Sequence, residues 1–351
     1  MKILELITPS RLGGAERYVG WISREFQDRG HEVTVGMRTC DAVEKFYDSL
    51  GLKVELLAIS GKLNPFAKGR IRKLIDDFGP DIVHTHLSTA SLWGLKAADE
   101  LTVPGFGHVH SYNSVSPYRA ASALIAVSSA VKQHLISSGV SADLIHVVYP
   151  ASNVFNARPA EDISVLSDNV ITCASQLRDD KGVRVLFEAF THILARVPDA
   201  NLVFCGAGPL RSELAELALE ECLPIHFVGY RNDVPSVFAA SAVAVLPSLK
   251  PEGYGLSLVE AQAVGTPVIA SRVGGVPEAM IDGLTGMTVE PGNASALAEA
   301  ILALIENKNE RNRMGVAGKE FSATRSVQTS AAHLLELFAA PSGNRTDGPN
   351  F

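Results

Sequence analysis

The feature that most constrains the fold is an alternation of short apolar runs with amphipathic segments, which restarts once near the middle of the chain. The apolar runs are typical of buried strands, and most of the segments between them have helical periodicity. This order predicts parallel sheets wrapped by helices. The predicted strands span residues 2–7, 32–36, 54–58, 81–84, 107–110 and 122–127, and then 170–174, 202–205, 225–227, 242–246, 267–270 and 286–289.

The length of the chain and the restart of this pattern together predict two domains. A chain of 351 residues is too long for one ordinary hydrophobic core. A proline-bearing, acidic and poorly periodic stretch at residues 149–168 interrupts the alternation and is the expected boundary. We therefore predict doubly wound α/β domains at residues 1–155 and 156–325. A Gly/Asn/Asp/Pro-rich tail at residues 341–351 is expected to be disordered.

Composition and charge exclude several classes of protein. Apolar residues make up 46% of the chain and charged residues 20%, which is typical of a globular protein and not of a disordered one. No apolar run reaches the roughly 18 residues of a membrane-spanning helix. The net charge of −7 argues against a generic nucleic-acid binder. The acidic excess lies in the second half, because residues 1–155 carry +1 and the remainder carries −8.

The sequence favours a reduced, cytoplasmic protein. The apolar run at residues 1–8 meets Gly13 and Gly14 too early to be a signal peptide. The four cysteines show no C-x-x-C spacing, so we expect buried thiols. The nearly neutral first half would not be strongly repelled by an anionic membrane, which leaves peripheral attachment to the inner face of the membrane as an open alternative.

The most informative local motif is a glycine-rich turn that leads into a helix. Glu252 and Glu260 stand eight positions apart across this turn, and residues 256–264 form a helical pattern without a breaker. A loop that opens into a helix offers free backbone N–H groups and a positive dipole end, which suit a phosphate. Gly253 and Gly255 allow the backbone to come close to such a ligand. A carboxylate about one turn inside the helix can accept hydrogen bonds from vicinal hydroxyls, such as those of a ribose.

Two further loops could contact a phosphate. Gly13 and Gly14 follow the first strand and precede a helix, which suits close backbone approach to a phosphate or sugar, although a plain β–α turn would look the same. Glu16, in the first turn of that helix, suits the helix dipole as well as a ligand. Lys181 opens a later helix, where its charge could neutralise a leaving diphosphate; the alternative is a surface lysine.

These motifs resemble, in the same order along the chain, the retaining glycosyltransferases of family four, which have the GT-B fold. The glycine-rich turn resembles the E-x7-E motif of that family, and matches run from about residue 3 to residue 292. Each match is weak by itself, and the ordered set is specific. The stretches that carry the resemblance are Ser10-Arg11-Leu12-Gly13-Gly14-Ala15-Glu16-Arg17, Lys181-Gly182-Val183, Leu202-Val203-Phe204-Cys205-Gly206-Ala207-Gly208-Pro209-Leu210, Phe227-Val228-Gly229-Tyr230 and residues 251–270.

The resemblance implies a fold and an activity. The fold would be two facing Rossmann-like domains with an interdomain cleft, and a helix at residues 326–340 would cross back onto the N-terminal domain. A UDP- or GDP-sugar would bind the C-terminal domain, with the acceptor on the N-terminal side. A hexose-type sugar would then pass, with retained configuration, to a glycan or lipid-linked acceptor. Bacterial surface polysaccharide or lipopolysaccharide synthesis is the expected context.

The resemblance also assigns roles to particular residues. Glu260 would hold the ribose, Glu252 would contact the transferred sugar, and Lys181 would stabilise the departing diphosphate. His110 would position the sugar. The expected catalytic residues are His110, Lys181 and Glu252. The expected donor-binding residues are Gly13, Gly14, Arg178, Lys181, Gly229, Tyr230, Gly253, Tyr254, Gly255, Leu256 and Glu260.

The histidines allow a second interpretation. His108 and His110 fall on one side of a predicted strand, because side chains alternate with a period of two. His84 and His86 form another H-x-H pair at a strand end. Four histidines could indicate zinc. We disfavour this interpretation because no acidic or cysteine ligand accompanies them in sequence.

Three features depart from common patterns. The family usually has an arginine five residues before the lysine, and here that position is Gln176, with Arg178 as a candidate substitute. Residues 206–208 imitate a dinucleotide fingerprint, but Arg211 occupies the place of its third glycine, so a nicotinamide site is disfavoured. The chain contains no D-x-D, the motif with which many sugar transferases hold a divalent ion. We therefore expect no metal and no cofactor.

The segment at residues 62–74 is basic with interleaved apolar residues. We favour a solvated helix entry. The alternative is adsorption to anionic lipid, at ~1 kcal/mol for each basic residue near the surface.

Two other functions remain open at this point. An epimerase acting on a nucleotide sugar with the same fold would need acid and base carboxylates around the sugar, for which Glu252 and Glu16 are candidates. A non-catalytic subunit that binds a nucleotide sugar is made plausible by Gln176. The sequence does not identify the nucleobase, the sugar, the acceptor or the oligomeric state.

Overall fold

A computed structural model describes residues 1–59, 61–154 and 157–340. The chain divides into two compact units. The first contains residues 1–152 and the segment that begins at Ser326, and the second contains residues 153–325. The tail for which disorder was expected lies outside the described residues.

The first unit contains a seven-stranded parallel sheet in the order β3-β2-β1-β4-β5-β6-β7. The central strands are buried on both faces because helices cover both sides, as in doubly wound sheets. The order reverses between β1 and β4, so the loops that follow these two strands diverge and leave a crevice at the carboxyl edge. The strands are β1 (Lys2–Ile7), β2 (Glu32–Met37), β3 (Lys53–Leu56), β4 (Ile82–His86), β5 (Gly105–Val109), β6 (Ala123–Ala126) and β7 (Ile145–Val147).

The helices of the first unit include one from the far end of the chain. The last helix, α13 (Val327–Ala339), lies against the first helix, α1 (Gly14–Asp28). The Tyr18 hydroxyl bonds to the Ser330 hydroxyl at 2.6 Å, and the rings of Phe26 and Phe338 make an edge contact. The remaining helices are α2 (Asp41–Ser49), α3 (Ala67–Phe78), α4 (Ser88–Glu100) and α5 (Ser129–Ser137).

The second unit contains a six-stranded parallel sheet in the order β10-β9-β8-β11-β12-β13. Its order reverses between β8 and β11, which places a second crevice at the carboxyl ends of those strands. The strands are β8 (Val170–Ala174), β9 (Asn201–Cys205), β10 (Ile225–Gly229), β11 (Val243–Leu246), β12 (Val268–Ser271) and β13 (Gly286–Val289).

In the part of the second unit that the structure describes, seven α-helices surround the sheet. Helix α7 buries a stripe that includes Leu186, Phe190 and Ile193, a spacing of three to four residues that is typical of a helix packed on a sheet. The helices are α6 (Glu161–Ser164), α7 (Val183–Leu194), α8 (Arg211–Glu220), α9 (Val234–Ala239), α10 (Leu256–Ala263), α11 (Ala294–Ile305) and α12 (Lys308–Ala323).

The predicted fold class is confirmed, because both sheets are parallel and doubly wound. Several predicted strand bounds are wrong, and two of them concern the histidines. β4 continues to His86, and β5 ends at Val109, so that His110 is the first residue after the strand. Strand β7 was not predicted, because three residues are too short to show a period. Among the described residues, no helix combines the length and the apolar character needed to cross a bilayer.

Candidate active site

The carboxyl edge of the second sheet is built from loops held together through backbone contacts. The loop after β8 and the loop after β9 exchange two bonds, from Leu177 N–H to the Ala207 carbonyl and from Leu210 N–H to the Leu177 carbonyl, each at 3.1 Å. A Cβ on Gly208 would stand 2.2 Å from the Leu177 carbonyl oxygen. Glycine is therefore needed for the two loops to approach so closely. Close packing of the two loops therefore explains the glycines at residues 206–208, and no bound dinucleotide is needed to account for them.

The loops on the two sides of the crevice also touch. Leu249 N–H donates to the Asp180 carbonyl at 2.9 Å. Gly182 has φ +67°, and a Cβ there would lie 1.8 Å from the Pro247 carbonyl oxygen. No side chain fits between these two backbones. The β8 loop and the β11 loop are thus fixed against each other.

Lys181 and Glu252 meet across this junction. Their side chains form an ion pair with Nζ 2.9 Å from Oε2, and each side chain is 19% exposed. The Ser248 hydroxyl donates to the other carboxylate oxygen, and the Glu252 carbonyl accepts from Gly275 N–H at 2.9 Å. The ammonium has three donors, so it can keep Glu252 and still donate to an arriving anion. Two of the predicted catalytic residues are therefore in direct contact.

The predicted position of Lys181 at a helix start needs correction. Lys181 ends a single 3-10 turn, Asp179–Lys181, and α7 begins two residues later at Val183. Gly182 occupies the N-cap position in the left-handed region. The lysine therefore stands just before the helix, and its direction is set by the tight turn.

The glycine-rich turn leads into α10 as predicted. Gly255 is the N-cap with φ +112°, and Leu256 is the first helical residue. Gly253 and Tyr254 are buried. The first N–H groups of a helix have no partner within it, and they carry the positive end of the dipole. Glu260 follows Leu256 by one turn and is partly exposed, so the turn offers backbone donors and a carboxylate on one short helix.

Arg178 is close to this region and is already paired. Its guanidinium makes two bonds to the Asp180 carboxylate, at 2.8 and 2.9 Å. Both residues line a pocket of about 390 Å³. The pocket is completed by Asp179, Pro209, Leu249 and Lys250. Any contact between Arg178 and an anion would have to compete with Asp180.

Gly229 and Tyr230 stand farther along the same edge. Gly229 ends β10, which is separated from β8 by β9, and its carbonyl accepts from Gly206 N–H at 2.8 Å. The Tyr230 side chain is 56% exposed. The structure therefore brings Lys181, Glu252 and the α10 turn together and sets Gly229 and Tyr230 two strands away.

The first unit holds the glycine loop, where the structure favours a capping role for Glu16. Gly13 is the N-cap of α1 and Gly14 its first residue. Gly13 N–H donates to the Glu16 carboxylate at 3.1 Å. Burial raises the pKa of Glu16. Because the carboxylate satisfies an N–H of its own helix start, its position is explained by the fold alone.

His110 belongs to a buried cluster of polar side chains at the carboxyl edge of the first sheet. Glu5, on β1, lies at its centre. Its carboxylate is 3.0 Å from His84 Nδ1 and 2.7 Å from His86 Nε2. His84 Nε2 lies 3.2 Å from His108 Nδ1, and His86 Nδ1 lies 3.0 Å from His110 Nε2. The four rings and one carboxylate thus form two arms that start at Glu5.

The environment keeps the rings of His86, His108 and His110 neutral. Burial, together with the neighbouring rings, holds the pKa of His86 and His108 well below the ordinary value. Burial lowers the pKa of His110 to about 3. Tyr18 stands edge-on to His108 at 5.4 Å, and burial raises the pKa of its hydroxyl. A neutral imidazole carries one N–H donor and one acceptor, so each ring has a definite tautomer.

No acidic residue accompanies the histidines in sequence, but the fold brings Glu5 against them. The available signal was a carboxylate inside an apolar strand, and its partners lie 79 and 81 positions away. Nitrogen atoms of His84, His86 and His108 lie within 4.8 Å of one another, a spacing at which they could hold a cation. Both ring nitrogens of His84 and of His86, and Nδ1 of His108, already make hydrogen bonds within the cluster. His108 Nε2 makes none among the described residues.

Comparison with protein families gives two matches that follow the two units. Residues 12–154 match the model of Glycosyltransferase Family 4. Residues 158–321 match the model of Glycosyl transferases group 1. The matches are in the order that the sequence motifs predicted, and they cover most of the chain.

Individual relatives carry related names. A D-inositol 3-phosphate glycosyltransferase of Corynebacterium glutamicum is 34% identical over 56% of this chain and 51% of its own length. A GDP-mannose-dependent alpha-(1-6)-phosphatidylinositol monomannoside mannosyltransferase of Mycolicibacterium smegmatis is 32% identical over 52% of this chain and 51% of its own length. In these two alignments the chain spans about half the length of the relative.

Among solved structures, Anabaena Alr3699/HepE in complex with UDP-glucose is similar over the whole chain. It superposes with a TM-score of 0.85 and 25% identity, covering 97% of this chain and 100% of that chain. The likeness therefore extends through both units and includes the connection between them in sequence.

Proposed function

This chain belongs to glycosyltransferase family 4, with a group 1 glycosyl transferase domain, and from that premise we propose that it transfers a hexose-type sugar from a nucleotide diphosphate sugar. The acceptor would be a glycan or a lipid-linked glycan, and the anomeric configuration would be retained. Surface polysaccharide or lipopolysaccharide synthesis in a bacterium is the proposed context. The names of the relatives support a sugar donor carried on UDP or GDP.

One observation carries the proposal. Lys181 and Glu252 form an ion pair with a 2.9 Å contact at the crevice of the second sheet, and the α10 turn follows Glu252 in the same loop. In open parallel sheets, ligands bind at the point where the strand order reverses. A diphosphate at this point would meet a lysine ammonium and the positive end of a helix, which together stabilise the charge that develops as the leaving group departs.

The roles of the neighbouring residues follow from what each can donate or accept. Glu260 would accept hydrogen bonds from the ribose hydroxyls. The backbone from Gly253 to Leu256 would donate to the phosphates, and Glu252 would contact the transferred sugar. In the first unit, the Gly13 and Gly14 loop would approach the diphosphate.

Four further residues complete the proposed donor site. His110 would position the sugar. Arg178, if released from Asp180, would add charge near the diphosphate. Gly229 and Tyr230 would contact the nucleoside end, since they lie farther along the edge of the sheet.

We propose that the reaction proceeds without a divalent metal. The chain contains no D-x-D, and Lys181 with the helix start supplies positive charge at the place where other transferases use an ion. Transfer in the presence of excess EDTA is the test. A rate that falls with the chelator and returns with Mg²⁺ or Mn²⁺ would contradict metal independence.

We also propose a reducing, cytoplasmic location with contact on the inner face of the membrane. All four cysteines are free thiols. The segment at residues 62–74 exposes Leu63 by 95% and Phe66 by 68%. Its basic side chains are less available, since Lys68 and Arg72 pair with Glu100. The apolar side chains would therefore carry most of any membrane contact.

The decisive experiment is a binding screen followed by a turnover assay. Binding of a nucleotide to the folded state raises the unfolding temperature, so UDP, GDP and their sugars can be ranked by thermal shift. Loss of the Glu260 bonds to a ribose should weaken binding by roughly tenfold or more, as expected for hydrogen bonds to a charged group. Glu260→Ala should therefore lose most of the shift, whereas Glu299→Ala on α11 should keep it.

Product analysis then tests the reaction itself. With a competent acceptor, NMR of the product should show the same anomeric configuration as in the donor. An inverted product would contradict retention. A changed sugar on released nucleotide, without any acceptor, would indicate epimerisation. Binding without turnover across a broad acceptor panel would indicate a subunit that only binds the donor.

A further inference from the structure

The cluster around Glu5 has a direction, which is set by its hydrogen bonds. We propose that Glu5, acting through His86, is a positioning residue that fixes His110 as the Nε2–H tautomer, so that His110 Nδ1 accepts a hydrogen bond from a sugar hydroxyl. The tautomer depends only on the first unit. The sugar contact rests on the proposed function.

The first step is the carboxylate. Glu5 is fully buried, and its two oxygens face His84 Nδ1 and His86 Nε2. An ionised carboxylate only accepts hydrogen bonds. Both facing nitrogens therefore carry hydrogen, and the neutral ring of His86 has used its one N–H there.

The second step is the arm that leads to His110. Since His86 carries its hydrogen on Nε2, its Nδ1 is an acceptor. Nδ1 lies 3.0 Å from His110 Nε2, so His110 must donate from Nε2. The single N–H of His110 is then used inside the protein, and its Nδ1 presents a lone pair. A hydroxyl that meets Nδ1 has to act as the donor.

The other arm can be oriented in the same way, outward from Glu5. It joins His84 Nε2 to His108 Nδ1 at 3.2 Å, and in the proposed direction His108 Nδ1–H is the donor. The remaining atom, His108 Nε2, is buried and has no hydrogen-bond partner among the described residues. In the proposed direction this atom is a bare acceptor. In the reverse direction it would be a buried N–H without an acceptor, which is the rarer and more costly defect.

The surroundings shield His84, His86 and His108 from water, whereas His110 is partly exposed. Phe338, from α13, stands edge-on to His84 at 5.2 Å, and Tyr18 covers the His108 and His110 side with ring contacts at 5.4 and 6.2 Å. In such a low-dielectric site each hydrogen bond is strengthened, and reversing one ring requires its whole arm to reverse. The hydrogen bonds accepted by Glu5 therefore determine the tautomer of His110 at the edge of the sheet.

Replacement of Glu5 by glutamine makes a definite prediction. A carboxamide must present one N–H₂ group, either to His84 or to His86. If it faced His84, that arm would reverse and leave His108 Nε2–H buried without an acceptor. The amide is therefore expected to face His86, and Glu5→Gln should convert His110 to the Nδ1–H tautomer.

The primary test reads the tautomers directly. Long-range ¹H–¹⁵N correlation spectra of the full chain, labelled at histidine, distinguish protonated from bare ring nitrogens. The His110 signals are assigned by their loss in His110→Ala. We expect a bare Nδ1 and a protonated Nε2 in the wild type, and the reverse in Glu5→Gln. A protonated Nδ1 in the wild type would overturn the proposal, and this measurement stands even if Glu5→Gln does not fold.

Kinetics then separate positioning from a structural role. Glu5→Gln should lower kcat by about tenfold, the equivalent of one net hydrogen bond, while the thermal shift given by UDP or GDP is unchanged. His108→Asn is the matched control, because its amide can occupy the place of Nδ1–H and keep the bond to His84. It should retain the wild-type His110 tautomer and kcat.

The outcomes distinguish this proposal from the proposed function. If His110 is the Nε2–H tautomer in a protein that transfers no sugar, the proposed function is contradicted. The assigned direction of the hydrogen bonds in the cluster is then still supported. An unchanged His110 tautomer in folded Glu5→Gln would overturn the positioning role. One equivalent of zinc in the purified protein, lost in His84→Asn, would also overturn it, since a metal would occupy the lone pairs on which the argument depends.

Discussion

The two sheets have the same doubly wound topology, and their carboxyl edges are built in opposite ways. In the second unit the loops are fixed by main-chain contacts that only glycine permits, and a partly exposed ion pair lies between them. In the first unit the edge is fixed by buried side chains around Glu5, with rings whose pKa values are lowered. One edge is suited to a multiply charged anion, and the other to neutral hydroxyl groups. A common fold thus supports two kinds of recognition through its loops and strand ends.

The largest expected effect comes from disrupting the main-chain contacts between the loops of the second unit. Gly182→Ala would add a Cβ 1.8 Å from the Pro247 carbonyl oxygen at φ +67°. The combined strain and overlap should cost about 3 kcal/mol or more of unfolding free energy, measured by urea denaturation. Gly283→Ala, at φ +75° with no atom within 4 Å of the added Cβ, is the control and should cost about 1 kcal/mol. Equal costs would show that close approach of the loops is unimportant.

The next effect concerns the charge at the second edge. Lys181→Ala should lower kcat by roughly 10² to 10³, as expected when a preorganised donor to developing charge is removed. Lys181→Arg should recover part of this loss, because it keeps the charge. Lys308→Ala, at an exposed ion pair with Asp168, should have the wild-type rate. A fully active Lys181→Ala enzyme would mean that the helix start alone carries the leaving group.

A smaller effect is the pH dependence of the unfolding free energy, which tests the histidines at the edge of the first sheet. The pKa values of His86, His108 and His110 are lowered in the folded protein, to about 3 for His110. Their contribution to stability is therefore complete above the unfolded value of about 6.5 and is lost as the pH falls below it. Each ring should add a slope of about 1.4 kcal/mol per pH unit in that range.

Urea denaturation at about pH 7 and pH 5 measures this slope. His108→Asn removes one titrating ring and should reduce it. His192→Asn, on α7 of the second unit, is the control and should leave the slope unchanged. If stability did not fall between the two pH values, the rings would be charged or exposed in the folded state.

The smallest effect concerns the surface of the first unit. The double replacement Leu63→Ser and Phe66→Ser removes two exposed apolar side chains beside basic residues. Binding to vesicles that contain anionic lipid should weaken by a few kcal/mol at most. Full burial of one such side chain contributes about 1.5–3 kcal/mol of free energy. Sedimentation with vesicles measures it. Val316→Ser, exposed on α12, should have no effect. Equal sedimentation of all variants would limit the site to soluble acceptors.

Much of this organisation could be predicted from local patterns. The strand at Lys2–Ile7, the helix that starts at Leu256 and the loop with Lys181 each follow from apolar periodicity, glycine and helix-start chemistry within about ten residues. The ordered motifs then indicated the family. Local signals sufficed for these features because secondary structure and helix termini depend on neighbours in sequence.

The rest depended on distant contacts. Glu5 looked like an isolated charge in an apolar strand, because its partners are 79 and 81 residues away. The need for glycine at position 182 comes from the backbone of Pro247. Such features are fixed by tertiary packing, which periodicity does not encode.

The helix α13 has a consequence for the order in which the protein can mature during synthesis. Its Ser330 bonds to Tyr18 across 312 positions of sequence, and its Phe338 covers the ring of His84. The segment that covers the first unit thus leaves the ribosome after the whole of the second unit. The second unit can fold before α13 is made. The first unit cannot complete its fold until then, and the ring of His84 lacks its contact with Phe338. A nascent chain stalled before Val327 should therefore hold a finished second unit and an unfinished first one.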